Sequence, residues 1–173
     1  MNAKLLSACI RDIPDFPKKG ILFKDITTLL NSQEAFKASI DLLAEKVKGQ
    51  NIDYVISVES RGFIFGAALA YKLGAGFVPV RKKGKLPSQT KSVTYALEYG
   101  TDTLEMHEDA IRQKAKVLVV DDLLATGGTV EAVMKLLETF QASIVGIVFL
   151  IELTFLHGRD KLKKYPVHSI IQY

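Results

Sequence analysis

Residues 117–129 read VLVVDDLLATGGT, and this stretch decides the fold of the chain. Its first four residues are valine and leucine, a run typical of a strand that is buried on both faces of a parallel sheet. Asp121 and Asp122 follow where the run ends, and residues 125–129 add small side chains, hydroxyls and two glycines before an amphipathic helix. This order of strand, acidic pair, glycine-containing loop and helix predicts a binding site for a sugar phosphate.

The composition limits the class of protein. The chain has 173 residues, 48% of them hydrophobic and 24% charged, so we expect one domain over residues 1–173. Its net charge of +4 suits an anionic small molecule or a nucleic acid and does not separate the two. Cys9 is the only cysteine, which excludes an intramolecular disulfide and a cysteine-rich metal site. No apolar run approaches the ~20 residues of a membrane span, so we expect a cytoplasmic protein without membrane contact.

Helical and extended patterns alternate along the rest of the chain. Apolar runs predict strands at residues 53–58, 76–81, 117–120, 144–151 and 167–171. Helical spacing predicts helices at residues 2–11, 33–48, 63–73 and 130–140, with Asn31 or Ser32 as one N-cap and Gly74 as one C-cap. This alternation predicts an α/β fold, a twisted and mostly parallel sheet with helices on both faces.

Residues 86–107 differ from these units. Residues 92–99 alternate in part between apolar and polar side chains, residues 100–102 form a turn, and residues 103–106 return as a second strand. The pattern predicts a polar hairpin that projects from the sheet and has no obvious core face. Such a hairpin is either a lid that closes over a site or an interaction arm.

Three polar segments follow predicted strands, at residues 59–62, 81–85 and 121–129. The carboxyl ends of parallel strands meet at one edge of a sheet, and ligands bind there. The glycine loop offers backbone N–H groups to a phosphate but lacks the lysine of a Walker A loop. Asp121 and Asp122 suit a magnesium site, a phosphoryl-acceptor pocket or acceptors for vicinal hydroxyls, of which the last matches a ribose beside a phosphate. The basic run of Arg81, Lys82, Lys83 and Lys85 is either a solvated face or a site for a more highly charged group such as pyrophosphate.

The stretch at residues 119–129 resembles the phosphoribosyl-pyrophosphate signature of the type I phosphoribosyltransferases. Further segments occur in the order and at the spacing of the adenine-specific members of that family: FP at residues 16–17, FKDI at 23–26, SRGF at 60–63, RKKGKLP at 81–87 and LEYG at 97–100. The resemblance covers nearly the whole chain. It implies transfer of the 5-phosphoribosyl group from phosphoribosyl pyrophosphate to N9 of adenine, a purine salvage reaction that yields AMP and pyrophosphate.

The resemblance also implies roles for individual residues. The 5′-phosphate would lie on Ala125, Thr126, Gly127, Gly128 and Thr129, and the ribose hydroxyls on Asp121 and Asp122. Pyrophosphate would be surrounded by Ser60, Arg61, Arg81, Lys82 and Lys85. Adenine would lie between Phe23 and Leu123, read by the backbone of Leu22 and Lys24, with Glu98 as the catalytic residue. Family members often have arginine where Lys24 stands, a change to which a backbone contact is insensitive.

The remaining implications concern the cofactor and the assembly. Mg²⁺ would be held mainly by substrate oxygens rather than by a protein metal site. Residues 1–32 would form a hood that binds the base, and residues 86–107 the lid. A homodimer is expected, with Arg81 reaching into the site of the partner.

Two rival functions remain: a transferase for another base such as hypoxanthine, and a regulator that senses phosphoribosyl pyrophosphate. The second would bind nucleic acid through an added domain, for which we see no room, so no nucleic-acid partner is expected.

Overall fold

The central sheet has seven strands within residues 1–96 and 100–173, which are the residues that this computed structural model describes. The strands of the chain are β1 (Arg11–Pro14), β2 (Leu22–Asp25), β3 (Tyr54–Val58), β4 (Gly76–Lys82), β5 (Thr90–Ala96), β6 (Thr101–His107), β7 (Lys116–Leu124), β8 (Ser143–Glu152) and β9 (Val167–Gln172). The helices are α1 (Ala3–Ser7), α2 (Thr27–Leu30), α3 (Gln33–Glu45), α4 (Arg61–Leu73) and α5 (Gly128–Glu138). Short 3-10 segments, Thr154–Leu156 and Gly158–Leu162, connect β8 to β9.

The sheet has the order β5-β6-β4-β3-β7-β8-β9. Strands β4, β3, β7, β8 and β9 are parallel, and β6 and β5 continue the sheet in antiparallel pairing. The predicted twisted, mostly parallel α/β fold is therefore confirmed. No helix in the described part of the chain is long and apolar enough to cross a membrane.

Strand β7 is buried on both faces because its apolar side chains alternate between two layers. Val117 and Val119 lie in the core cluster that includes the apolar face of α5, and Leu118 and Val120 lie in the cluster under α3 and α4. Helices therefore cover both faces of the sheet, as predicted.

Helix α4 lies unusually close to the sheet. A Cβ atom at Gly66 would lie 2.6 Å from Cβ of Ser57 in β3, so only glycine fits at this crossing. The Ser57 hydroxyl donates a hydrogen bond of 2.7 Å to the carbonyl of Val120 in the neighbouring strand.

Two predicted helix ends are also confirmed. Ser32 caps α3 by accepting from the backbone N–H of Ala35 (3.2 Å), and Gly74 ends α4 in the left-handed conformation at a φ of 67°.

The prediction of a projecting hairpin without a core face is wrong for the part of it that the structure describes. Strands β5 and β6 extend the central sheet, and Leu104 and Met106 are fully buried in the core. Val93 and Tyr95 pack against the same cluster, on the side of the sheet that α5 covers. The apolar residues are widely spaced among polar ones, so their common face shows only once β6 has paired with β4.

The beginning of the chain also differs from its prediction. The predicted helix at residues 2–11 ends at Ser7, and Arg11–Pro14 is a strand that pairs with Leu22–Asp25 in a separate two-stranded sheet. An ion pair of 2.7 Å between Arg11 and Asp25 closes one end of this ribbon. Residues 11–14 have no alternating pattern of their own, and their partner strand decides their conformation.

The connection between β8 and β9 is held by a buried carboxylate. Glu152 is 5% exposed and accepts hydrogen bonds from Arg159 Nε (2.9 Å), Ser169 Oγ (2.5 Å) and Gln172 Nε2 (3.3 Å). Arg159 also donates to the carbonyl of Val167 (2.7 Å). These bonds, those from Arg159 first, lower the pKa of Glu152 from 4.5 to about 2. The ionised carboxylate therefore fastens residues 153–166 to the end of the sheet.

We expect Glu152→Gln to lower the free energy of unfolding at pH 7 by about 1–3 kcal/mol. Because the pKa of Glu152 is lower in the folded state, its contribution is fully present above about pH 4.5 and is lost as the pH falls towards 2. The difference between wild type and variant in urea unfolding should therefore shrink between pH 7 and pH 3. Glu138→Gln, at an exposed position, is the control. An equal difference at both pH values would contradict the assignment.

Candidate functional site

Two adjoining cavities lie at the carboxyl ends of β3 and β7. The smaller has a volume of about 80 Å³ and is lined by Asp121 and by residues 123–130. The larger, of about 430 Å³, is lined by Phe23, Val58, Glu59, Ser60, Arg61, Asp121, Asp122, Leu123 and Thr129. Asp121, Leu123 and Thr129 belong to both walls, so the cavities form one continuous site. Two of the three polar segments predicted to converge, residues 59–62 and 121–129, thus meet here.

The smaller cavity faces the beginning of α5. Gly127 precedes the helix in a left-handed conformation with a φ of 78°, which a residue with a side chain rarely adopts. No side chain caps this end of the helix, so backbone N–H groups and the positive end of the helix dipole face the cavity. The cavity is small and has the size and polarity of a phosphate site.

Gly158 packs against this loop, and no sequence pattern predicted a role for it. A Cβ atom at Gly127 would lie 2.5 Å from the carbonyl oxygen of Gly158, and a Cβ atom at Gly158 would overlap the carbonyl oxygen of Ala125. Gly158 lies in the segment of residues 153–166, which the bonds between Glu152 and Arg159 fasten to the sheet. In the sequence, Gly158 is an isolated glycine, and an isolated glycine is a weak signal for such a contact.

Asp121 and Asp122 form a desolvated acidic pair at the end of β7. The backbone N–H of Asp122 donates to Asp121 Oδ1 (2.9 Å), and a Cβ atom at Gly62 would lie 2.6 Å from that same oxygen. Asp122 Oδ2 lies 2.9 Å from Arg61 Nε but receives no aligned hydrogen bond from the described residues. This oxygen is buried, and its contact with the described residues is the charge of Arg61.

Burial raises the pKa of both carboxyls. For Asp121 the adjacent charge of Asp122 adds to the effect of burial and the pKa rises well above its ordinary value. For Asp122 the guanidinium of Arg61 opposes the effect of burial and the rise is smaller. Two carboxylates so close and so little hydrated favour hydroxyl donors or positive charge in the cavity beside them.

The predicted pyrophosphate cluster is divided by the structure. Arg61 and Ser60 line the larger cavity, whereas Arg81 and Lys85 pair with Glu59, at 2.8 and 2.7 Å. The Glu59 side chain is 7% exposed, and although burial alone would raise its pKa, the bonds from Lys85 and Arg81 lower it.

Lys82 pairs with a different carboxylate, that of Asp102 in β6, at 2.9 Å. The side chains of Arg81, Lys82 and Lys85 do not line either cavity. The three cations lie beside the site, each paired with Glu59 or Asp102, two acidic residues for which no sequence pattern predicted a role.

The apolar part of the larger cavity lies between the two sheets. Phe23 and Leu123 line it from opposite parts of the chain, and the guanidinium carbon of Arg61 lies 5.2 Å from the centre of the Phe23 ring. Within the described residues β2 pairs only with β1, so its other edge is open. Leu22 and Lys24 are two residues apart, so their backbone groups point to the same edge.

Two further predictions concern Glu98 and metal binding. Glu98 lies outside the described residues, so its catalytic role stays a prediction. Among the residues that the structure describes, no group of three or more His, Cys, Asp or Glu side chains is placed to hold a metal ion. The donors at hand are the two carboxylates of the acidic pair, which suit a cation whose other ligands come from a bound molecule.

Comparison with known proteins gives a consistent result. The model of the phosphoribosyl transferase domain matches residues 25–172. The adenine phosphoribosyltransferase of Brachyspira hyodysenteriae is 60% identical over 164 residues, which are 95% of this chain and 96% of that protein. The crystal structure of adenine phosphoribosyltransferase from Thermoanaerobacter pseudethanolicus superposes with a TM-score of 0.96 at 53% identity, over 99% of this chain and 100% of that one.

A more distant structure carries ligands. The adenine phosphoribosyltransferase of Saccharomyces cerevisiae, complexed with an imino-altritol bisphosphate and adenine, superposes with a TM-score of 0.92 at 42% identity, over 97% of each chain.

We expect Gly158→Ala to weaken the binding of ribose 5-phosphate by about 10- to 100-fold, because the added methyl group displaces the carbonyl of Ala125 and with it the loop. The affinity is measured by calorimetry. Gly146→Ala is the matched control, since a Cβ atom there meets its nearest neighbours at 3.6 and 3.7 Å, which are ordinary contacts. A folded Gly158→Ala protein with wild-type affinity would contradict the role of Gly158.

Proposed function

The chain belongs to the phosphoribosyl transferase family, and from that premise we propose that it transfers the 5-phosphoribosyl group of phosphoribosyl pyrophosphate to N9 of adenine. The products are AMP and pyrophosphate, so the enzyme serves purine salvage. One observation carries the proposal: a phosphate-sized cavity, a desolvated acidic pair and an apolar slot lie in one continuous site. Their order matches the phosphate, the ribose and the base of AMP.

The ribose phosphate is assigned to the smaller cavity and its rim. The backbone N–H groups of residues 125–129 and the dipole of α5 would bind the 5′-phosphate. Asp121 and Asp122 would accept hydrogen bonds from the 2′ and 3′ hydroxyls. Asp122 Oδ2, buried without an aligned donor, is the acceptor that most needs such a partner.

The base is assigned to the slot between Phe23 and Leu123. Both side chains line the larger cavity. The backbone groups of Leu22 and Lys24, on either side of Phe23 in β2, would read the amino edge of adenine. Ring stacking on Phe23 and backbone hydrogen bonds together would fix the plane and the orientation of the base. The two-stranded sheet thus acts as the proposed hood.

In the reaction, N9 attacks the anomeric carbon and the bond from that carbon to the pyrophosphate oxygen breaks. Pyrophosphate leaves with the bonding electron pair, and the ribose passes through an oxocarbenium-like state. Positive charge then develops beside Asp121 and Asp122, two carboxyls whose pKa values are raised by burial, so that added positive charge would favour their ionised form. Stabilisation by preorganised carboxylates is an electrostatic contribution to catalysis.

The leaving pyrophosphate is assigned to Ser60, Arg61, Arg81, Lys82 and Lys85. Arg61 and Ser60 line the cavity. Arg81 and Lys85 would exchange their bonds to Glu59 for bonds to the substrate, and Lys82 its bond to Asp102. We further propose a homodimer in which Arg81 reaches the site of the partner, and action in the cytoplasm, where the free Cys9 stays reduced.

Mg²⁺ fits this site as an ion carried mainly by the substrate. The described residues hold no three-ligand cluster, and the two carboxylates of the acidic pair would supply the protein donors. When bound, the ion would neutralise charge on the departing pyrophosphate. Glu98 in the lid is proposed to take the proton that N9 of adenine loses.

The decisive assay incubates the protein with phosphoribosyl pyrophosphate, Mg²⁺ and each of adenine, hypoxanthine, guanine and xanthine, and separates the products by chromatography. We expect AMP from adenine and at least about 100-fold lower turnover of the three oxopurines, since backbone groups that pair with an amino group are left unpaired by a carbonyl. Absence of AMP would refute the proposal, and faster conversion of hypoxanthine would favour the rival specificity.

We expect Glu98→Gln to lower kcat by about 10²–10⁴-fold while the Kd for phosphoribosyl pyrophosphate changes by less than about twofold. Steady-state kinetics and calorimetry separate the two quantities. Glu108→Gln, at an exposed position just past β6, is the control. Equal losses in kcat and in affinity would remove the catalytic assignment.

A further inference from the structure

The side chain of Lys24 is buried although that of its neighbour Phe23 faces the substrate cavity. Successive side chains of a strand point to opposite faces, and Lys24 points from β2 towards the body of the protein, where it is 7% exposed. Its ammonium group lies 2.7 Å from Asp12 Oδ1 and 3.7 Å from the centre of the Tyr173 ring. A buried ammonium group costs free energy unless it keeps its partners, so these two contacts determine the position of the Lys24 side chain.

Its two partners belong to different parts of the fold. Asp12 lies opposite Lys24 in β1, within the same two-stranded sheet. Tyr173 follows β9 of the central sheet and is fixed by its backbone. Its N–H donates to the carbonyl of Glu152 (3.0 Å), and its own carbonyl accepts from the N–H (2.9 Å) and the hydroxyl (2.6 Å) of Thr154. These hydrogen bonds fix the backbone of Tyr173 beside Lys24.

This contact is a polar link between the two sheets. In the described residues β1 and β2 pair only with each other, so no strand-to-strand hydrogen bonds fasten the hood to the central sheet. Helix α1 packs into the core through Leu6 and supports the hood at its beginning. At β2 itself, the ammonium of Lys24 over the Tyr173 ring holds the strand against the end of β9.

We propose that Tyr173 and Asp12 are positioning residues for adenine, acting through Lys24. The inference rests on the proposed function, in which the backbone of Leu22 and Lys24 reads the base. The Lys24 anchor sets the distance between that backbone and the ribose site on β7. Neither Tyr173 nor Asp12 lines the site, so their effect reaches adenine through β2. The loop of residues 125–129, which is proposed to bind the phosphate, keeps its conformation.

The test compares two variants of one residue. Tyr173→Leu keeps apolar bulk but removes the aromatic face, and Tyr173→Phe keeps the face but removes the hydroxyl. We expect Tyr173→Leu to raise the KM for adenine about 3- to 10-fold while the KM for phosphoribosyl pyrophosphate stays within about twofold. Tyr173→Phe should restore wild-type values, because the face of a phenylalanine ring also attracts a cation.

Matched controls separate positioning from stability. Tyr165→Leu removes a half-buried tyrosine that packs against the core cluster on the α5 side of the sheet, away from the hood. It should leave the KM for adenine unchanged, and thermal unfolding of every variant shows which are folded at the assay temperature. Asp12→Asn, which removes the other partner of Lys24, should raise the KM for adenine in the same selective way as Tyr173→Leu.

Three results overturn the inference alone, provided that the wild-type enzyme makes AMP from adenine. These are an unchanged KM for adenine in Tyr173→Leu, an equal rise in both KM values, and a defect in Tyr173→Phe as large as that in Tyr173→Leu. The last would assign the effect to the hydroxyl. If the wild-type enzyme makes no AMP from adenine, the proposed function fails and the inference fails with it.

Discussion

Strand β7 is the middle one of the five parallel strands, buried on both faces, and the candidate site is built from its carboxyl end. Close packing on both sides buries residues 117–120, and the strand continues to Leu124, past the two aspartates. The packing that stabilises the fold therefore also buries Asp122, while Asp121 is partly buried and lines the cavities. Only residues 125–127 separate the end of β7 from the beginning of α5. The N-terminus of the helix therefore lies at the same edge of the sheet as the acidic pair.

Glycines let separate backbone segments touch around that strand end. Gly62 lies against Asp121, and Gly127 lies against Gly158, in contacts too close for a Cβ atom. The loop of residues 125–129, the start of α4 and the β8–β9 connection therefore meet without intervening side chains. The last of these segments is fastened by Glu152 and Arg159, which contact no cavity. Rigidity of a ligand site thus depends on bonds made well outside it.

Each cation at the described site forms an ion pair with a carboxylate in the free protein. Arg61 pairs with Asp122, Arg81 and Lys85 with Glu59, and Lys82 with Asp102. A highly anionic substrate bound to these cations would compete with the carboxylates, so under the proposed function its binding would exchange one set of ion pairs for another.

The sequence by itself determined the parallel core of the sheet, the caps at Ser32 and Gly74, and the acidic pair followed by the phosphate loop. Each of these follows from a local pattern: a run of apolar residues, a hydroxyl before a helix, a glycine where φ is positive. The resemblance of several segments to one family added the reaction, which the comparisons support, and the role of Glu98, which stays a prediction.

Only the tertiary structure decided that residues 11–14 form a strand, that Leu104 and Met106 give the hairpin a core face, and that Gly158 closes the phosphate loop. It also paired Arg81 with Glu59 and placed Lys24 over Tyr173. The partners in these contacts are distant in sequence or have no periodic pattern. Their proximity is a product of chain packing and leaves no local signal in either residue's neighbourhood.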